Sequence, residues 1–122
     1  MKKISQHNLD TLSNYLKNVK FRGHVQTLRL ELQEDEHGHF IYIGLINVKK
    51  QSMNRGIGTS IINEIVDLAN NRGYRVKLWA TCVYGSNLSR LTEFYGRFGF
   101  VSSGDCEMVY DPKIKDSNIV KT

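Results

Sequence analysis

The segment from residue 40 to residue 80 constrains the fold more than any other part of this chain. An apolar run, FIYIGLINV, leads into a basic turn that contains Gly56 and Gly58. A stripe of apolar residues at helical spacing begins at Ile57, and Gly73 supplies a stop. The run YRVKLWA then alternates apolar and polar residues, as a strand does. A strand, a helix and a strand in this order predict a crossover unit within one sheet.

The residues before this unit predict a helix and a hairpin. Apolar residues recur at helical spacing from residue 8 to residue 19, with Asn8 placed as the N-cap. The stretch 25–33 alternates apolar and polar residues, which predicts a strand with one solvent-exposed face. The polar turn around Gly38 should join it, as an antiparallel hairpin, to the strand at 40–48, which is apolar on both faces.

The residues after the unit predict a second amphipathic helix and a second hairpin. The stretch 88–98 carries an apolar face and ends at Gly99. The sequence FVSSGDCEMVYDP then predicts two short strands that turn at 103–105. We expect one domain at 1–112, because 122 residues suffice for a single core, followed by a loose polar tail at 113–122.

Composition predicts a protein of the cytoplasm with no membrane partner. The chain has no apolar run near the roughly 20 residues of a membrane span, and MKKISQHNLD has no apolar signal core. Cys82 and Cys106 lack metal or redox spacing, so two reduced thiols are expected. The net charge of +5 favours anionic partners, which include phosphorylated cofactors, nucleic acids and acidic proteins.

The glycine turn before the second predicted helix favours an anion site. Its backbone can approach a ligand closely, and the helix start adds unpaired N–H groups and a positive dipole end. Arg55, Lys49 and Lys50 agree with that sign. The alternative is a plain turn with solvated charges. A P-loop is excluded because no lysine follows the glycines, and a dinucleotide fingerprint is excluded because Ile61 occupies its third glycine position. A shorter diphosphate-binding turn remains.

Two segments resemble the GCN5-related N-acetyltransferase (GNAT) family. MNRGIG at 53–58 is similar to its acyl-CoA loop, Gln/Arg-x-x-Gly-x-Gly/Ala, although Met53 departs from the first position. NLSRLTEFYGRFGF at 87–100 is similar to the family's asparagine, helix and FYxxxGF pattern, although Asn87 lies one residue further from Tyr95 than is usual. The resemblance covers roughly residues 39–110, with the two segments in the family's order.

The resemblance implies an α/β (α+β) fold with a mixed, mostly antiparallel central sheet, a strand-helix-strand crossover and helices on both faces. It implies acetyl-CoA as co-substrate, no metal, and a primary amine as acceptor, on a small molecule or on a protein lysine or N-terminus. Tyr95 would be the catalytic general acid. Cofactor binding would fall to a strand edge, a loop and one further residue: Ile46, Asn47, Val48, Met53, Asn54, Arg55, Gly56, Ile57, Gly58, Thr59 and Asn87.

Several alternatives stay open on the sequence. Tyr95 could be a core residue, and Trp79 is expected to pack under a helix rather than to bind the acceptor. The general base is not identified; Glu31 or an ordered water are candidates. His37 and His39 lack further ligands for zinc. A homodimer is open, as is a non-catalytic acyl-CoA-binding or protein-interaction domain. Nucleic acid is not expected as a partner, because no nucleic-acid-binding signature accompanies the charge.

Overall fold

The structure is a computed structural model that describes residues 3–52, 55–79, 88–104 and 106–112, with residues 88–91 described by their backbone. It contains three α-helices, two short helical turns and five strands in these residues. In chain order they are α1 (Gln6–Tyr15), a π-helical turn (Leu16–Lys20), β1 (Val25–Asp35), β2 (Gly38–Val48), a 3-10 turn (Lys50–Ser52), α2 (Ile57–Arg72), β3 (Arg75–Trp79), α3 (Leu88–Gly96), β4 (Val101–Ser102) and β5 (Glu107–Tyr110).

The first helix begins earlier than its apolar pattern predicts. Ser5 is the N-cap, and its hydroxyl accepts a hydrogen bond from the Asn8 backbone N–H. The Asn8 side chain accepts one from the Ser5 backbone N–H in return, at 2.9 Å. The prediction of Asn8 as N-cap is therefore wrong, because Asn8 is the third helical residue and completes a capping box.

The five strands form one mixed sheet in the order β1-β2-β3-β5-β4. The pair β2 and β3 is parallel and is joined by α2, while β1–β2, β3–β5 and β4–β5 are antiparallel. The predicted crossover unit and both hairpins are confirmed. The insertion of β5 between β3 and β4 is a tertiary feature that no local pattern indicated.

One face of the sheet carries the hydrophobic core. Neighbouring strands each contribute almost completely buried residues to it: Leu30 from β1, Ile41 and Ile43 from β2, Val76 from β3 and Tyr110 from β5. Helices α1 and α2 contribute to this core through residues such as Leu9 and Ile61, and the aromatic residues of α3 pack against it. The fold that the resemblance implies, a mixed and mostly antiparallel sheet with a crossover unit and packed helices, is confirmed.

The opposite face carries an ion cluster around Phe40, which is buried although its neighbours are charged. The Lys77 ammonium lies 4.4 Å from the Phe40 ring centroid, and the Arg75 guanidinium lies 5.4 Å from it. Asp35 accepts hydrogen bonds from both cations. On this same face Trp79 is 53% exposed, so the expectation that it packs under a helix is wrong.

The remaining expectations on organisation are not tested by these residues. The predicted tail at 113–122 lies outside the described ranges, as does Cys82. No helix within the described residues has both the length and the apolar character for a bilayer crossing.

Candidate active site

The parallel strands β2 and β3 pair over only part of the length of β2. Their ladder runs from Phe40–Arg75 to Ile43–Leu78, whereas β2 continues to Val48. The last residues of β2, including Ile46, Asn47 and Val48, stay paired with β1 on their other side. Beyond Ile43, the edge of β2 that faces β3 therefore has no partner among the described residues. Such an edge can accept an extended ligand through backbone hydrogen bonds.

A β-bulge at Gly44 marks the point where this pairing ends. Arg29 lies opposite Leu45, but Leu30 lies opposite Ile43, so Gly44 is the extra residue in β2. A Cβ at Gly44 would lie 3.1 Å from a carboxylate oxygen of Glu31. The glycine thus lets the Glu31 side chain lie directly against the bulge. This role of Gly44 was not predicted from the sequence, although a glycine within a strand pattern is a known signal for a bulge.

The predicted phosphate loop leads from the end of β2 into the start of α2. Gly56 has a φ of 76°, the left-handed conformation that favours glycine, and it is the N-cap of α2. Gly58 lies in the first helical turn, and a Cβ placed there would meet no atom within 4 Å. The first backbone N–H groups of a helix have no partner within the helix, so an anion is a suitable ligand for them.

Other predicted loop residues fall on either side of this turn. Arg55 and Thr59 are exposed, while Ile57 is buried and fixes the helix start to the core. Met53 and Asn54 lie outside the described residues, as does Asn87. Along the chain, Arg55 to Thr59 thus follow β2 and its 3-10 turn, and the cofactor roles of all these residues remain predictions.

A polar contact that was not predicted from the sequence joins the turn before the loop to the turn before β1. The His24 Nδ1 atom lies 2.7 Å from the Ser52 hydroxyl, and Ser52 is 2% exposed. The Lys49 backbone N–H also donates to the His24 carbonyl at 2.8 Å. No local pattern joins these residues, because they are 28 positions apart in the chain.

Tyr95 lies near the end of α3 and packs against the core through its ring. Its ring contacts those of Phe94 and Phe100 edge to face, with centroids 5.1 and 5.9 Å away. Burial raises the pKa of the Tyr95 phenol above its ordinary value. Among the described residues none hydrogen-bonds to its hydroxyl. The phenol is therefore protonated at neutral pH and can donate a proton.

A cleft lies on the opposite face of the sheet, beside the ion cluster of Asp35, Arg75 and Lys77. This cleft has a volume of about 1000 Å³, and it is also lined by the β4–β5 hairpin. It adjoins the β1–β2 turn, at the end of β2 away from Val48. Its polar groups are not those of the predicted cofactor site. In the described ranges, no three His, Cys, Asp or Glu side chains are grouped as metal ligands.

A family model described as "Acetyltransferase (GNAT) family" matches residues 12–100. The chain belongs to the GNAT acetyltransferase family. This match contains the strand edge, the phosphate loop and Tyr95. The two motifs predicted a likeness over roughly 39–110; the match begins earlier, within α1, and ends at residue 100.

Solved structures support the GNAT fold. AcrVA5, an anti-CRISPR protein, superimposes with a TM-score of 0.58 at 21% identity, over 74% of this chain and 93% of that one. Arabidopsis thaliana Naa50, in complex with the bisubstrate analogue CoA-Ac-MVNAL, superimposes with a TM-score of 0.55 at 18% identity. The superposition covers 88% of this chain and 94% of Naa50. A chain of the KacTA–DNA complex gives 0.52 at 16% identity, over 78% of this chain and 62% of that one. No curated protein matches the sequence.

Proposed function

We propose that this protein is an N-acetyltransferase that moves the acetyl group of acetyl-CoA to a primary amine of a small molecule or a protein. One observation carries the proposal. The edge of β2 that extends beyond its pairing with β3 runs, through one helical turn, into the left-handed Gly56 at the start of α2. Family membership agrees with this chemistry.

The cofactor would lie along these two features in turn. Its pantetheine arm would pair with the backbone at Ile46, Asn47 and Val48, as an added strand does. Its diphosphate would accept hydrogen bonds from the N–H groups at the start of α2, where the helix dipole favours an anion. The exposed Arg55 adds a positive charge beside this position.

The transfer step requires a nucleophile, an oxyanion site and an acid. The neutral amine attacks the thioester carbonyl carbon, so that a C–N bond forms and the carbonyl oxygen becomes an oxyanion. Backbone N–H groups on the free edge of β2 would stabilise that oxygen. The C–S bond then breaks, and Tyr95 would protonate the departing CoA thiolate. The amine loses one proton, so the acetamide product is neutral.

The proton from the amine needs an acceptor, and Glu31 is the carboxylate beside the strand bulge. It is half-buried, and its Oε2 atom lies 3.1 Å from the Cβ position of Gly44. A carboxylate at this place could receive the proton directly or through one water. We therefore propose Glu31 as the base, with an ordered water as the alternative.

Replacement of Gly58 tests the cofactor site without disturbing the protein core. A Cβ at this position meets no atom of the described residues within 4 Å, so Gly58→Val should fold with nearly the parent melting temperature. Its side chain would occupy the space expected for the diphosphate, so acetyl-CoA should raise the melting temperature of the wild type but not of the valine variant. Gly58→Ala is the matched control, because the family loop accepts Ala at this position, and it should keep the shift.

If acetyl-CoA raises the melting temperature of Gly58→Val as much as that of the wild type, the cofactor binds elsewhere. If acetyl-CoA causes no shift in the wild type, calorimetry at millimolar ligand decides whether the protein binds it at all. Absence of binding there contradicts the proposed function.

A further inference from the structure

We infer that His24 is a positioning residue for the cofactor loop and acts through Ser52, an inference that rests on the proposed function. The contact joins the turn before β1 to the last residue of the 3-10 turn that follows β2. Ser52 lies three positions before Arg55 and four before Gly56. Ser52 is therefore the last described residue before the turn at Arg55 and Gly56.

The surrounding backbone holds both partners in place. The His24 N–H donates to the Phe21 carbonyl at 2.9 Å, and the His24 carbonyl accepts from the Lys49 N–H. The Ser52 N–H donates to the Lys49 carbonyl at 2.8 Å. Val25, the residue after His24, pairs with Val48 in the β1–β2 ladder. The imidazole is thus fixed relative to the end of β2, where the predicted pantetheine edge lies.

The side-chain contact supplies the part of this arrangement that the backbone does not. A buried hydroxyl needs a hydrogen-bond partner, and for Ser52 that partner is His24. A binding loop loses affinity when its groups drift by about half an ångström, and a loop already ordered before binding loses less entropy on binding. The His24–Ser52 contact would hold the 3-10 turn at the end of β2 in place before the cofactor binds.

Three substitutions at His24 separate positioning from simple burial. His24→Leu keeps the volume roughly and removes the polar partner. His24→Asn keeps a polar atom at the branch that carries Nδ1, whereas His24→Gln moves it one bond further out. We expect the Kd for acetyl-CoA, measured by calorimetry, to rise about five- to ten-fold in the leucine and glutamine variants, on the scale of one lost hydrogen bond. The asparagine variant should bind nearly as the wild type does.

Ser52→Ala provides the second side of a double-mutant cycle. It should raise the Kd by a factor similar to that of His24→Leu, and the double variant should bind no more weakly than either single one, because the two residues act as one contact. Acetylpantetheine, which has no diphosphate, should lose less affinity than acetyl-CoA in every variant. His39 is an exposed histidine at the other end of β2, so His39→Leu should change neither the affinity for acetyl-CoA nor that for acetylpantetheine.

The outcomes distinguish this inference from the proposed function. If the wild type binds acetyl-CoA and His24→Leu binds it equally well, the inference is overturned and the proposed function stands. The inference is also overturned if asparagine and glutamine weaken binding equally, since contact geometry would then not matter. If the wild type does not bind acetyl-CoA, the proposed function fails, and the inference fails with it.

Discussion

At the scale of single residues, the transfer chemistry depends most on the Tyr95 phenol. Tyr95→Phe removes the hydroxyl but keeps the ring that packs against Phe94 and Phe100. We expect acetyl-CoA affinity and folding to be nearly unchanged, and turnover to fall about 100-fold or more, as for a lost general acid. Because burial raises the pKa above the ordinary value of about 10, wild-type turnover should not lose its acid at pH 9.

Tyr110→Phe is the matched control for this substitution. Tyr110 is completely buried, and its hydroxyl donates to the Asn70 side chain at 2.6 Å, at a place the mechanism does not use. Tyr110→Phe should therefore lower the melting temperature and leave turnover unchanged. If both phenylalanine variants turn over at the parent rate, water rather than Tyr95 protonates the thiolate.

The residues that sequence could identify at this scale are those that lie in a local motif. Gly56, Gly58 and Tyr95 follow from short patterns, and the structure gives Gly56 the positive φ that such a turn requires. His24 and Ser52 could not be predicted, because their contact exists only after β1 and β2 have paired. The alternation of β3 places Trp79 on the face away from Val76 and Leu78, where a helix was expected to cover it. That face carries the ion cluster instead, and the Trp79 side chain is exposed.

At the scale of elements, the Asp35 ion cluster fastens the β1–β2 turn to β3. Hydrogen bonds from Arg75 first, and then from Lys77, hold the pKa of the Asp35 carboxyl well below its usual range. A lowered pKa in the folded state means that this stabilisation is complete above the unfolded-state pKa of about 3.9, and is lost as the pH falls toward the folded-state pKa.

The pH dependence of Asp35→Asn tests this account of the hairpin. The variant should melt below the wild type at pH 7, and the gap should stay constant down to about pH 5 and narrow toward pH 3. Asp67→Asn, at an exposed position on α2, is the control and should show little gap at any pH. A gap for Asp35→Asn that widens as the pH falls would contradict the sign of the pKa shift.

The elements themselves were largely predictable, because each carries its own periodicity. The apolar stripe of α2 and the alternation of β1 predict these elements correctly, and the order of strand, helix and strand predicts the parallel pair β2–β3. The ends were less predictable. The exact start of α1 depends on a reciprocal pair of side-chain hydrogen bonds between Ser5 and Asn8, and the apolar pattern does not contain that information.

At the scale of the whole molecule, the fold combines a core on one face of the sheet with a free strand edge beside a helix start. The family match establishes membership of the GNAT family, and it leaves the acceptor unspecified. The acceptor is not readable from the chain, because a single carboxylate beside the bulge, Glu31, does not distinguish one amine from another. Its identification requires a screen of polyamines, aminoglycosides, peptides and cell lysates.

The most direct test of the central claim is the transfer of a labelled acetyl group from acetyl-CoA to an amine in that screen, detected by mass spectrometry. We predict an acceptor that gains one acetyl group with the wild type, with release of one equivalent of free CoA thiol. Gly58→Val should give no product, and Tyr95→Phe about 100-fold less. Tight binding of acetyl-CoA with no acetylated acceptor would contradict the claim and would favour a non-catalytic acyl-CoA-binding domain of the same fold.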